Sequence, residues 1–404
     1  MNKNYKVAII GGGSAGIFAA IELTRVNGFK PGEVVILEKN DRIGKKLLAT
    51  GNGQGNLTNK NVSKDNYYGE KEFAIKAAKT VINANLPEYF YSISMPISFD
   101  KEGRGYPVSK QASAVLDILR ERLFYCGVEV LTEFNVQKIQ RVKDGYRLSS
   151  SSSEIFAKYV IAAFGGKAGK NFGTDGTAYS LLAPFNHKVT PLFPSLVQLK
   201  TEKEKIKGLS GLKEKAKVFA YDGEKCLGEI TGDLLFTDYG VSGNTIFYLS
   251  AKLTDKKSPK IKVEFLPEFS ISETEKLLND KLKNSPFIKR EDYLLGLLNK
   301  KIGERIIKNS NANTVKEIAY AIKNYYISVT GNTGFNYAQV TKGGIETSGI
   351  DEITYESKYA KNLFIVGEAL NVDGDCGGYN LSFAISSALS SAREIKKREN
   401  IDNI

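Results

Sequence analysis

The segment "KVAIIGGGSAGIFAAIEL" (Lys6–Leu23) decides how the rest of the chain is read. Lys6 to Ile10 is a short run rich in β-branched residues, the pattern of a buried parallel strand. Gly11, Gly13 and Gly16 follow as G-x-G-x-x-G. The first glycine allows the sharp turn, the second admits a pyrophosphate to the backbone, and the third lets the helix pack close to the strand. Ser14, Ala15 and Gly16 then offer N–H groups at the positive end of a helix, where phosphates bind. A second apolar strand, Val34–Leu37, ends at Glu38, with Lys39 beside it. A carboxylate at that point accepts hydrogen bonds from an adenosine ribose. These features predict an α/β, Rossmann-like dinucleotide-binding domain.

Which dinucleotide is bound follows from the next segment, "DRIGKKLLATGNGQGNLTN" (Asp41–Asn59). It is too polar for core and holds no crossover helix of the kind a simple NAD half-domain continues with. Lys46, Thr50, Gly51, Asn52 and Gly53 can bring backbone N–H groups and small side chains against a planar ring, which points to FAD. Strands ending in glycines recur in "KYVIAAFGGKAG" (Lys158–Gly169), with Gly165, and in "KNLFIVGEALNVDGDCGGYN" (Lys361–Asn380), with Gly367 and Glu368. The late turn is expected to open a second helix near Gly377 or Gly378 toward the flavin or its ribityl phosphate. Asp373 is the expected partner of the ribityl hydroxyls. The pattern is that of a two-dinucleotide-binding flavoprotein whose FAD domain is assembled from both ends of the chain.

Bulk composition narrows the class further. Hydrophobic residues at 42% and charged residues at 25% are those of a folded globular protein. The absence of a run of 18 apolar residues argues against a membrane-spanning helix. Three cysteines without CxxC spacing predict a reducing compartment, the cytoplasm, and neither a disulfide framework nor a zinc site. One histidine, His187, excludes a Ser/His/Asp triad and reads as structural. The surplus of 57 Lys+Arg over 45 Asp+Glu, a net charge of +12, is compatible with a polyanionic partner such as RNA.

Along the chain, four segments are expected: 1–191 and 331–404 as the two parts of the FAD domain, 192–268 as an inserted β-rich domain, and 269–330 as an inserted helical domain. Two prolines in "PLFPS" (Pro191–Ser195) mark the crossover. "AKVFAYDGEKCLGEI" reads as a hairpin turning at Asp222-Gly223. Helices are expected near 272–283, with Ser272 and Glu275 as a capping box, and near 290–308 and 313–325.

Six ordered motifs give the chain a resemblance that runs its whole length: "GGGSAGIFAA", "KKLLATGNGQGNLTN", "GRGYPVSKQASAVLDIL", "LLFTDYGVSGNTIF", "AQVTKGGI" and "GEALNVDGDCGGYNLSFA". They resemble the BaiN/YhiN-type bacterial flavoproteins, labelled NAD(P)/FAD-dependent oxidoreductases. The resemblance implies a discontinuous FAD domain with inserted β-barrel-like and small helical domains, and contact of the backbone near Val136 with the adenine. It implies reduction of an activated C=C, in a small enone-like molecule or in a uracil ring of ribosomal RNA. Other relatives are labelled aminoacetone oxidase-like, which makes an FAD-dependent oxidase of a small amine the alternative. The chain departs from the family pattern at Gln54-Gly55 (Arg-Cys in the family), at Asp238 (His) and at Asn244 (Pro). Gly55 thereby removes the obvious proton donor.

The chemical candidates that remain are Cys376, Tyr379 and Asn380 in the late glycine turn. Arg104 and Tyr106 in "EGRGYP" are candidates for gripping a carbonyl or anion, and Asp238 and Tyr239 for covering the flavin face. No second G-x-G-x-x-G precedes a helix, so NAD(P)H is expected as a transient reductant without a domain of its own.

Overall fold

The computed structural model describes residues 3–400. It divides into two compact units. One runs to Leu192 and resumes at Val340, and the other is Phe193–Gln339.

The first unit is built on a seven-stranded sheet. Its parallel part runs in the order β7 (Glu129–Leu131), β2 (Val34–Leu37), β1 (Lys3–Ile10) and β10 (Glu154–Ala162). The strand Leu363–Ile365 joins β10 in parallel, so a segment some 200 residues later completes the sheet begun at Lys3. Its register pairs Val160 with Leu363 and Ala162 with Ile365. The first half of β10 instead takes the antiparallel strands β9 (Gly145–Ser149) and β8 (Lys138–Val142). The serine run after Ser149 is the tip of the β9–β10 hairpin.

β2 is buried along its whole length, and so is the carboxyl half of β1. That is why both read as continuous apolar runs instead of alternating ones. Helix α1 (Ser14–Thr24) is buried from Ala15 to Leu23. Phe18 is fully buried, its ring 6.0 Å from that of Tyr89 and 5.8 Å from that of Phe90. Burying one such ring contributes about 2–3 kcal/mol. The late helix spans Tyr379–Arg398, and Ser382, Ser386, Ser387 and Ser391 on it are fully buried. Ser387 Oγ accepts from Gly367 N at 3.0 Å, which ties this helix to the end of the Leu363–Ile365 strand.

His187 is 5% exposed, and its Nε2 lies 2.8 Å from Ser357 Oγ. Burial pushes its imidazole down to about 4, from an ordinary 6.5. A group whose folded pKa is depressed contributes its stability above the unfolded value and loses it as pH falls toward the folded one. The expected outcome is a loss of about 3 kcal/mol between pH 6.5 and 4. Denaturant melts of the wild type across that range check it, and His187→Gln should flatten the profile.

The second unit is a closed six-stranded barrel. Its order is Leu199–Thr201, Gly240–Ser242, Lys225–Phe236, Lys213–Asp222, Pro259–Phe265 and Tyr325–Asn332. Ala216, Val218, Ala220, Ile261, Val263 and Phe265 alternate inward and are fully buried. Asp222 and Lys225 close the central hairpin around a Gly223-Glu224 turn, with Gly223 at φ 58°. The helices Ile271–Asn284, Lys300–Ser310 and Val315–Lys323 share one hydrophobic cluster with the barrel. The capping box of the first of them lies two residues earlier than expected: Ser270 Oγ accepts from Glu273 N, and Ser270 N donates to Glu273 Oε2 at 2.7 Å. The helix expected at 290–308 is confined to 300–310. Gly296 at φ 84° stops a helix before it, and Asn299 caps the new start.

Candidate FAD site and its surroundings

The carboxyl ends of β1, β2 and β10 carry the turns that the fingerprint places there. Gly11 has φ 104°, and a Cβ on it would lie 2.6 Å from Ala163 O. A Cβ on Gly16 would lie 2.0 Å from Gly11 O, so helix and strand approach more closely than any side chain permits. Gly13 differs: a Cβ there meets nothing within 4 Å, and its φ of −82° is open to any residue. Its missing side chain leaves a cradle in front of α1. No side chain caps that helix, so the N–H groups of Ser14, Ala15 and Gly16 face the cradle without intrahelical partners.

Glu38 lies beside the same turn and is 7% exposed. Its carboxylate accepts from Gly12 N at 2.8 Å, from Asn40 N at 2.8 Å and from Asn40 Nδ2 at 2.6 Å. These donors orient it, take up Oε1 and leave a lone pair on Oε2 for a ribose hydroxyl. Phe134 N donates to Glu38 O at 2.9 Å, which brings the buried Val136 to this edge. Lys39 pairs with Asp175 at 3.0 Å. Hydrogen bonds from Thr177 and the Lys39 charge hold Asp175 down near 2, against its burial.

A second network binds the glycine-rich segment to the last part of the sheet. Lys46 Nζ lies 2.7 Å from Glu368 Oε2 and donates to Ala168 O at 3.1 Å. Glu368 Oε1 accepts from Thr341 N at 2.9 Å, and Thr341 Oγ1 accepts from Lys167 N and Ala168 N at 2.7 and 2.9 Å. Thr341 was not among the expected site residues, although it stands inside one of the six motifs. Thr50 Oγ1 donates to Leu47 O at 2.7 Å, and Gly51, Asn52 and Gly53 form an exposed turn in which all three residues have positive φ. Gly165 and Gly367, at φ 79° and 67°, end their strands as expected.

The late turn is held by three short strands of the same unit. β3 (Thr58–Asn59), β6 (Arg104–Pro107) and β5 (Ile97–Phe99) form one small sheet. Gly378, at φ 100°, caps the late helix, and no side chain caps it. A Cβ on Gly378 would lie 2.3 Å from Thr58 O and 2.5 Å from Asn56 Oδ1. Asn59 Nδ2 donates to Gly377 O at 2.9 Å. Asp373 is 1% exposed on the strand Val372–Gly374, opposite Tyr68 of β4 (Tyr67–Gly69).

The three expected chemical residues have different surroundings. Asn380 accepts from Gly374 N at 2.8 Å and donates to Gly374 O and Asp375 O at 2.7 and 3.3 Å, which closes the turn. Tyr379 is 8% exposed, its ring set edge-on to Tyr67, and its carbonyl accepts from Tyr67 Oη at 2.9 Å. Cys376 is half-buried, and burial pushes its thiol up to about 11. Arg104 and Tyr106 stand on β6 with their side chains toward the same turn. Asp238 and Tyr239 lie on a turn of the barrel unit, where Tyr239 O accepts from Thr201 N at 3.1 Å.

Among the described residues no group of His, Cys, Asp or Glu could hold a metal ion. No described helix is long and apolar enough to cross a membrane.

The HI0933-like protein Rossmann domain matches residues 5–394. The chain belongs to that family. It is 35% identical to the 3-dehydro-bile acid delta(4,6)-reductase of Clostridium scindens, across 97% of this chain and 99% of that one. It is 27% identical to the ribosomal RNA dihydrouridine synthase of Haemophilus influenzae, across 96% and 98%. Its fold is like that of a flavocytochrome c3 fumarate reductase, with a TM-score of 0.52 at 13% identity over 98% of this chain and 78% of that one. It is also like the 3-ketosteroid delta1-dehydrogenase of Sterolibacterium denitrificans, with a TM-score of 0.50 at 10% identity over 98% and 100%. This HI0933-like protein is an FAD-dependent oxidoreductase. The cradle at Gly13, two helix N-termini without side-chain caps and the oriented Glu38 carboxylate fit such a dinucleotide. Asn56 Oδ1, buried and without a hydrogen-bond partner beside Gly378, is a further acceptor at the second of those ends.

Proposed function

We propose that this protein is an NAD(P)H-driven reductase of an activated C=C in a small enone-like molecule. The observation that carries this reading is the 35% identity, nearly end to end, with a relative named as a delta(4,6)-reductase. FAD supplies the hydride through its N5. The protein's own part is to bind and orient. Gly13 and the α1 amides receive the pyrophosphate, Glu38 the ribose, and Asp373 the ribityl hydroxyls. Lys39, Lys46, Thr50 to Gly53, Val136, Gly165, Gly367 and Glu368 line the remaining path of the cofactor. The late helix presents its N-terminus, through Gly378, to the flavin. NAD(P)H reduces the flavin in passing, and the enzyme works in the cytoplasm.

A uracil ring of ribosomal RNA is the second reading, favoured by the likeness to the H. influenzae synthase and by the net charge of +12. RNA binding of that kind would weaken steeply with salt.

Anaerobic mixing of the yellow protein with NADH or NADPH tests the reading. The expected result is rapid bleaching, slow reoxidation in air and fast reoxidation by a 3-oxo-4,6-diene bile acid. No bleaching, together with fast reaction of the chemically reduced protein with oxygen, would sink it in favour of an oxidase of small amines.

A further inference from the structure

We propose that Tyr106 is the proton donor of this site: its phenol delivers the proton to the substrate carbon next to the one that receives the hydride. The inference rests on the reductase reading above and names the residue that completes the reaction.

Gly55 offers no acid: it is buried at φ +75°, and a Cβ there would lie 3.3 Å from both Ala112 Cα and Pro107 Cδ. The β6 strand supplies one. Gly105 faces down onto Thr58 and Phe99, where a Cβ would come within 2.7 and 3.0 Å. Its neighbours Arg104 and Tyr106 therefore share the opposite face. On that face Arg104 Cγ is 3.6 Å from the Cβ position of Gly377, and Tyr106 Cε1 is 3.3 Å from that of Gly51. Tyr106 thus stands between the exposed 51–53 turn and the turn that opens the late helix. These are the two segments read above as facing the flavin.

The surroundings suit a phenol that gives up its proton and recovers it. Burial raises the Tyr106 pKa, with Asp100 and Cys376 adding to it, so the proton is held at neutral pH. The Arg104 guanidinium and the Asn56 amide both act the other way and stabilise the phenolate once formed. Arg104 is itself fixed by Asp100 at 2.7 Å and Glu102 at 3.0 Å. Cys376, the competing acid, is less well placed. Burial is the main cause of its raised pKa, and although Arg104 helps a thiolate, Asp375 opposes it. Asp375 is 5% exposed and accepts from Tyr68 Oη at 2.7 Å and Asn66 Nδ2 at 3.1 Å. In the proposed step the O–H bond of Tyr106 breaks and a C–H bond forms at the substrate's α carbon. The hydride that FAD supplies goes to the β carbon, and water then reprotonates the phenolate.

The test is Tyr106→Phe in the FAD-loaded protein, with Cys376→Ser beside it. Both variants are expected to keep FAD and the wild-type melting temperature. Reduction by NAD(P)H and reoxidation by ferricyanide, which puts no proton on carbon, should be unchanged in Y106F. Reoxidation by the 3-oxo-4,6-diene bile acid should slow at least about 100-fold. C376S should slow far less than Y106F. A second readout needs no substrate: beyond the alkaline shift that the flavin's own N3–H gives, the absorption band of the wild type should show a further shift as Tyr106 ionises, and Y106F should lack it. A Y106F rate within twofold of wild type, a loss confined to C376S, or identical alkaline band shifts in wild type and Y106F would overturn the proposal. If the wild type reduces no enone, the substrate reading falls, and the band shift alone still decides whether Tyr106 stands beside the flavin.

Discussion

Gly13→Leu is expected to purify folded and colourless. Nothing lies within 4 Å of the position its Cβ would take, and the backbone there, at φ −82°, accepts any residue. The leucine therefore costs the apoprotein little. It fills the cradle in front of α1, where the pyrophosphate has to reach the first N–H groups of the helix. Affinity for FAD should fall at least about 1000-fold, equivalent to about 4 kcal/mol. Absorbance at the flavin band, circular dichroism and melting temperature measured on one preparation check this. A Gly13→Leu protein that stays fully yellow would remove the dinucleotide assignment. Gly16→Val is the useful contrast, because its Cβ would stand 2.0 Å from Gly11 O and should damage the fold itself.

Gly378→Ala should fail in the opposite order, with stability lost first. Gly378 sits at φ 100°, and a Cβ would press to 2.3 Å from Thr58 O and 2.5 Å from Asn56 Oδ1. Both neighbours belong to the segment that carries β3, and Thr58 O is backbone that cannot swing aside. The left-handed conformation costs roughly 1–2 kcal/mol for a residue with a Cβ, and the contact adds about as much again. The expected result is a loss of about 3 kcal/mol in the apoprotein. The turn should also be displaced from Asn59, so that the late helix no longer presents its N-terminus squarely. A chemical melt of apo and holo forms separates the two effects. Unchanged apoprotein stability would mean that the turn relaxes more freely than this packing allows.

These two glycines divide the molecule into what local chemistry specifies and what it does not. The fingerprint from Lys6 to Leu23 was legible because each of its requirements is short-range: a sharp turn, a backbone approach and a helix end, all within a dozen residues. The late helix start at Gly378 was legible for the same reason. So was the discontinuous FAD domain, since glycine-ended strands at both ends of the chain have no other common use. The capping box shifted from Ser272 to Ser270 because both serines stand near an acid three residues on, and only backbone conformation selects between them. The helix expected at 290–308 lost its first turns because Gly296 adopts a positive φ that apolar periodicity does not report.

The sequence by itself determined the dinucleotide-binding core, the placement of its glycines and Glu38, and the family. All of these depend on contacts between near neighbours or on motifs read in order. Only the tertiary structure decided what stands around the late turn. β3, β5 and β6 are two to four residues long, too short for a period of two to emerge. Their contact with the turn at 377–378 is far apart in the chain, the Asn59 bond to Gly377 having a separation of 318. Arg104, Tyr106 and Asn56 therefore become neighbours of Cys376 only once the chain has closed. For the same reason Asn380, a plausible reacting group in the sequence, turns out to close its own loop.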